Sequence, residues 1–311
     1  MSPNVPRVFS RRHRSLALAP AILALAAAGG CGDGEDDPAE TRRPSASADA
    51  FDSERAFADV EAQVDLGPRP SGSEANAAQA RLLAGELRKA GVEEVTIQRP
   101  WANVVGVIPG SQAGHIVVGA HHDTKDAIPG FVGANDGASG VAVVLELARS
   151  LPRPLPGPSV AIALFDGEEA RGDSDFSVDG TRGSTQYVGY AERGAQGTPP
   201  IEAIEAMVLF DLVGDCDLQI PLEANSDPEL YELFAAADPD LFSGTTTPIS
   251  DDHVPFLEMG IPGLDLIDFT YGPGPSPGDY WHTPEDTIDK VCPESLDAVG
   301  EAAVEVIPRI R

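Results

Sequence analysis

Lysine is nearly missing from this chain. Lys89, Lys125 and Lys290 are the whole complement in 311 residues, and 21 Lys and Arg stand against 50 Asp and Glu, a formal charge of -29. So acidic a surface repels nucleic acid and anionic lipid heads, which excludes both as directly bound partners. It reads as a solvated, salt-tolerant coat. Cysteine is scarce too: apart from Cys31 there are only Cys216 and Cys292. Two cysteines exclude a disulfide-built scaffold. Sequence fixes no distance between them, so a bridge and two free thiols both stay open. No internal repeat is visible, and beyond the N-terminus no apolar run is long enough to span a bilayer.

The N-terminus has its own pattern. Arg7, Arg11, Arg12 and Arg14 precede an almost wholly apolar stretch from Leu16 to Ala28, and Gly29-Gly30-Cys31 follows. A positive start, an apolar run of this length and small residues at the break predict an export signal over residues 1–30. Small residues directly before Cys31 match a lipoprotein cleavage site, so the mature chain is expected to begin at a lipidated Cys31. An ordinary signal peptide with an incidental cysteine is the alternative. Residues 31–50 are acidic, then rich in Ser, Ala and Pro, and read as a disordered linker. Residues 51–311 remain for one catalytic domain. The expectation is an exported monomer facing the periplasm or the cell exterior, touching membrane only through Cys31.

Within that domain, helical and strand periods alternate. Phe51, Phe57, Val60 and Val64 are spaced for a helix; Ser73 caps a second, which Gly91 ends. Strands are predicted at Val95–Gln98, Val104–Ile108, His115–Ala120, Ser159–Phe165, Ala206–Val213, Leu218–Leu222 and Ile261–Phe269. Helices are predicted at Gly137–Ser150, Thr181–Arg193, Pro228–Ala237, Val254–Met259 and Pro293–Ile310. This order argues an α/β fold, a doubly wound and mostly parallel sheet with helices on both faces. Loops at the strand ends of such a sheet build its pocket, and long ones run from Glu169 to Thr181 and from Phe269 to Trp281.

Metal-ligand residues sit at those strand ends. His121 and Asp123 lie in Gly-Ala-His-His-Asp; two apart on a strand, they share a face. His121 reads as a ligand, with Asp123 orienting it and His122 facing away. Asp136, in Gly-Ala-Asn-Asp-Gly, stands where a helix cap would, and a carboxylate there can also bridge two metals. Glu168 and Glu169 follow a strand apolar from Val160 to Phe165. Glu169 reads as a ligand and Glu168 as the acid-base group beside it. Asp211 ends another apolar strand, and His282 follows Tyr280-Trp281. Two imidazoles and three carboxylates are a donor set suited to zinc.

These motifs, with Trp-His-Thr-Pro-Glu-Asp-Thr, resemble the family-28 zinc metallopeptidases over about residues 52–311. That superfamily holds two-zinc aminopeptidases and the animal-type glutaminyl cyclases, and both act on a free peptide or protein N-terminus. The peptidase pattern implies His121, Asp136 and Asp211 on one zinc, and Asp136, Glu169 and His282 on the other, with Glu168 as general base. The cyclase pattern implies one zinc on Asp136, Glu169 and His282. Phe131-Val132-Gly133-Ala134, the insertion from Ala170 to Gly183 and Asp251-Asp252-His253-Val254-Pro255-Phe256 resemble the cyclases. There Asp251 would join Glu168 and Asp211 in an acid network, and Trp281 would pack on the substrate. Two features depart from them: the insertion has no Trp, and Asp265 stands where they carry His. A cyclase is the leading expectation and an aminopeptidase the alternative. A catalytically dead binding protein would have lost Glu168 or a ligand, and neither is lost.

Overall fold

The computed structural model describes residues 49–246 and 248–311. The export signal, Cys31 and nearly all of the linker lie outside the described residues. In chain order the elements are α1 (Ser53–Val64), α2 (Glu74–Lys89), β1 (Glu93–Ile97), β2 (Val104–Ile108), β3 (His115–His121), α3 (Ala138–Ser150) and β4 (Ser159–Phe165). Then come α4 (Phe176–Asp179), α5 (Arg182–Ala191), β5 (Ile204–Asp211), α6 (Pro228–Ala237), α7 (Val254–Glu258), β6 (Gly263–Ile267) and α8 (Pro293–Val306).

The six strands of the described residues form one sheet in the order β1-β2-β4-β3-β5-β6. β4, β3, β5 and β6 run parallel, while β2 is antiparallel to both β1 and β4. The strand period of two divides their side chains between two cores. Val160, Ile162 and Leu164 of β4 enter the larger core with residues of α1, α2, α3 and α8. Ala161, Ala163 and Phe165 face Tyr187 and Val188 of α5 and Phe256 of α7. This is the doubly wound α/β arrangement with helices on both faces.

Local signals account for most boundaries. Ser73 caps α2, its hydroxyl accepting from the Asn76 N–H at 3.0 Å. Gly91, at φ +74°, turns the chain out of that helix. Gly140 lets α3 lie against β5, since a Cβ there would stand 2.0 Å from the Phe210 carbonyl oxygen. One expected strand does not form. Leu218 and Ile220 are buried as a strand face would be, but among the described residues the segment has no neighbouring strand: the Ile220 N–H bonds the Leu241 carbonyl, and an isolated bridge joins Leu222 to Thr245. Alternating apolar residues there reflect burial under a loop. The short α4 inside the loop after β4 was not foreseen either.

Cys216 and Cys292 are bonded, closing a loop of 76 residues with Cα atoms 4.9 Å apart. The bridge ties the segment after β5 to the start of α8, and it indicates an extracytoplasmic, oxidising setting. Among the described residues no helix is long and apolar enough to cross a membrane. Replacing both cysteines by serine should lower stability by about 2–4 kcal/mol, a fall in Tm of roughly 5–15 °C for a domain of this size. Calorimetry on oxidised wild type and the double variant measures it; unchanged Tm would show that the bridge constrains nothing.

Candidate active site

Parallel strands bring their carboxyl ends to one edge, and four of the expected residues arrive that way. His121 is the last residue of β3, in register with Phe165 at the end of β4, and Asp211 is the last residue of β5. Glu168 and Glu169 follow β4 by way of Gly167, at φ +74°. Asp136 comes from the loop before α3. It is not that helix's cap: Gly137, at φ +89°, holds the N-cap position, and a Cβ on it would stand 2.9 Å from His121 Cε1. Glycine at 137 therefore lets the Asp136 loop close on the imidazole. His282 sits at φ +51°, a left-handed conformation that non-glycine residues seldom adopt and that recurs at functional sites.

Together these residues make two adjoining donor groups, His121–Asp136–Asp211 and Asp136–Glu169–His282. His121 Nε2 lies 3.2 Å from Asp136 Oδ1 and 3.3 Å from Asp211 Oδ1. His282 Nε2 lies 3.2 Å from Glu169 Oε1 and 3.4 Å from Asp136 Oδ2. Asp136 thus turns one oxygen to each group. Asp123 is 3.8 Å from His121 Nδ1, beyond a hydrogen bond; its firm contacts are with the Glu168 and Glu169 amides, at 3.1 and 3.4 Å. It fixes the two glutamates to the β3 end and makes no hydrogen bond to the imidazole it was expected to orient. His122 faces away, its Nε2 3.2 Å from the Ala102 carbonyl.

This donor set fits a divalent cation. Asp136 Oδ2 and Asp211 Oδ1 are buried without a hydrogen-bond partner, an arrangement that is costly unless something positive offsets it. The titration behaviour points the same way. Burial and the neighbouring Asp136 push Glu169 up to about 7. Burial alone would lower His121, yet Asp123, Asp136 and Asp211 outweigh it and hold the imidazole well above its ordinary value. Glu169 resists charge while His121 and His282 seek it, the mark of a surplus of negative charge that a zinc ion would relieve.

A pocket of about 450 Å³ opens onto this cluster, with Asp136, Glu168, Glu169, Asp211, Asp251 and His282 in its lining. Burial, then Asp211 and Asp252, push Asp251 well above the usual carboxylate range. Glu168 is likewise raised by burial, with Glu169, Asp251 and Asp252 adding to it and His121 opposing. Trp281 stacks on the His282 ring, with centroids 3.8 Å apart and planes at 15°, and Phe269 meets Trp281 edge-on at 5.3 Å. The pocket thus has an acidic floor and an aromatic wall. All the expected site residues gather around it or support it.

Several supporting residues escaped the sequence reading. Arg69 is fully buried; its guanidinium donates to the Val132 and Gly133 carbonyls, just ahead of Asp136. From the other side, Asp286 accepts the Asn135 and Asp136 N–H groups at 2.8 and 3.1 Å and the Tyr271 hydroxyl at 2.7 Å. The loop bearing Asp136 is therefore clamped between a buried cation and a buried carboxylate. Ser184 donates its hydroxyl to Asp252, tying α5 to the Asp251 turn. Arg69 lies in a Gly-Pro-Arg-Pro turn and Asp286 in the Trp-His-Thr-Pro-Glu-Asp motif, and those settings were the only signals available.

The model of peptidase family M28 matches residues 103–307. The chain belongs to peptidase family M28. Within this family its similarity runs to glutaminyl cyclases. It is 32% identical to the glutaminyl-peptide cyclotransferase of Gloydius blomhoffii over 255 positions, covering 68% of this chain and 67% of the relative. The crystal structure of an Acidobacteriales bacterium glutaminyl cyclase is 31% identical, with a TM-score of 0.75 over 86% of this chain and 98% of that one. A Zn-dependent exopeptidase from Parabacteroides distasonis is also similar, at 28% identity and a TM-score of 0.69 over 83% of this chain and 98% of that one. The chain is a glutaminyl cyclase-like M28 enzyme, and zinc is the metal typical of such proteins.

Proposed function

We propose that this M28 enzyme is a zinc-dependent glutaminyl-peptide cyclotransferase, converting N-terminal glutamine to pyroglutamate with release of ammonia. The observation that carries the reading is the buried acid pair Glu168 and Asp251 in one pocket with the Asp136–Glu169–His282 group. Asp136, Glu169 and His282 would hold the zinc, which when bound polarises the side-chain amide of the substrate. Glu168 takes a proton from the α-amine as its nitrogen bonds to the amide carbon. It then delivers that proton to the departing nitrogen, so the C–N bond breaks and ammonia leaves. Asp251, close to Asp211 and Asp252, keeps Glu168 able to hold and release the proton in turn. Trp281, fixed on the His282 ring, packs against the substrate side chain. The disulfide supports export, while a lipid anchor at Cys31 rests on the sequence alone.

The His121–Asp136–Asp211 group supports a second reading, because it could hold a second ion as a two-zinc aminopeptidase would. A metal count on purified protein, with assays on a Gln-peptide and a Leu-anilide, separates the two. We expect one zinc per chain, pyroglutamyl product and little free leucine; two zincs with leucine release would favour the peptidase. Glu169→Ala or His282→Ala should abolish zinc retention during dialysis against a weak chelator, since each removes a donor that the others do not replace. Full zinc content in either variant would overturn the ligand assignment.

A further inference from the structure

The concave surface does not stop at the rim of the pocket. Pro248, Ile249 and Ser250 form one wall of it, and the same three residues bound a second, shallower groove of about 480 Å³. Asn225, Val254 and Leu257 complete that groove. None of the six is charged, on a chain whose net charge is -29. Val254 and Leu257 are three apart on α7, so both can turn to the same side, and both are half-buried.

The dividing wall is firmly built. The Ile249 N–H donates to Glu223 Oε1 at 2.8 Å, and Asn225 Nδ2 reaches the Ile249 carbonyl at 3.4 Å. Glu223 is fully buried and also accepts the Asn225 N–H and the Ser226 hydroxyl, with His253 Nε2 3.3 Å away. The groove therefore keeps its shape without an occupant, and its apolar strip faces water on an otherwise acidic surface.

Continuity with the pocket identifies what covers it. An enzyme that holds a peptide's first residue in the pocket must let the rest of the chain out over the rim. An extended chain advances about 3.3–3.6 Å per residue. With the second residue at the 248–250 wall, the residues after it would enter the groove that Val254 and Leu257 help to bound. We propose that this groove is an extended subsite, selecting peptides of at least four residues with a large apolar side chain at the third position. The inference rests on the peptide N-terminus reading above and deepens it.

Steady-state rates on Gln-Ala-amide, Gln-Ala-Leu-Ala-amide and Gln-Ala-Glu-Ala-amide test it. The Leu peptide should show kcat/KM about tenfold above the dipeptide, carried by KM with kcat unchanged, as binding equal in ground and transition states requires. The Glu peptide should show no gain. Val254→Asp/Leu257→Asp should erase the Leu advantage and leave the dipeptide rate as it was. If that variant misfolds by circular dichroism, Leu257→Ala serves in its place. Calorimetric titration of the Leu and Glu peptides into zinc-loaded Glu168→Gln protein gives the same comparison without turnover. Equal affinity for the two would overturn the subsite whatever reaction the enzyme performs. So would a wild-type dimer that the double aspartate variant dissolves, since a second copy would then be the occupant. Failure to form pyroglutamyl product from any of the three peptides would instead count against the cyclase reading, and the titration would still judge the groove.

Discussion

Glu168→Gln will keep its fold and its zinc and lose about two to four orders of magnitude in turnover, the scale expected when a general acid-base is removed. Stability should survive because burial already pushes Glu168 toward its protonated form. A neutral amide of the same shape therefore replaces a group that is not required to be charged for folding. Metal retention should survive because Glu168 belongs to neither donor group. What the amide cannot do is accept a proton from the substrate amine. Thermal denaturation, a zinc assay and steady-state rates on a Gln-peptide make the comparison. A variant within threefold of wild type would take Glu168 out of the mechanism. One that lost zinc would make it a ligand.

The contrast between Glu168 and Arg69 shows what the amino-acid sequence carries and what it does not. An apolar run with a period of two, broken by an acid, marks where a strand leaves the sheet. His121, Glu168, Glu169 and Asp211 were legible because all are placed by such ends. Asp136 was legible as a motif, though the cap geometry suggested for it belongs to Gly137. Arg69 acts on a loop some 60 residues away, and Asp286 on one about 150 residues away. No local period reports such pairs, since they exist only once the sheet has brought its loops together. The same reason left Cys216 and Cys292 undecided, their distance being a property of the folded loop. It also explains the misread strand at Leu218–Leu222. Alternating burial looks the same whether the neighbour is a strand or a loop, and only the backbone partners distinguish them.

Asp251 is the residue on which the two enzyme readings part. It is buried in the same pocket as Glu168, and Asp211 and Asp252 add to the burial that raises its carboxyl well above the usual range. Groups this close titrate as a set, so removing one alters how readily the others hold a proton. In a cyclase the shuttled proton must be taken up and returned within a single turnover, and Asp251→Ala should lower cyclisation by about two orders of magnitude or more, within the range for acid-base groups. Folding should tolerate the change, because it deletes a buried acid from a crowd of acids and lessens their repulsion. In a two-zinc peptidase the general base acts on water at the metals. Asp251 belongs to neither donor group, so Asp251→Ala should cost hydrolysis less than about tenfold. The decisive measurement is one variant on two substrates, a Gln-peptide and a Leu-peptide, beside the wild type. Near-complete loss of pyroglutamyl product with zinc content intact supports the cyclase. A wild type that releases leucine and forms no pyroglutamyl product, with Asp251→Ala hydrolysing almost as well, would instead make Asp251 a bystander and the aminopeptidase reading the correct one.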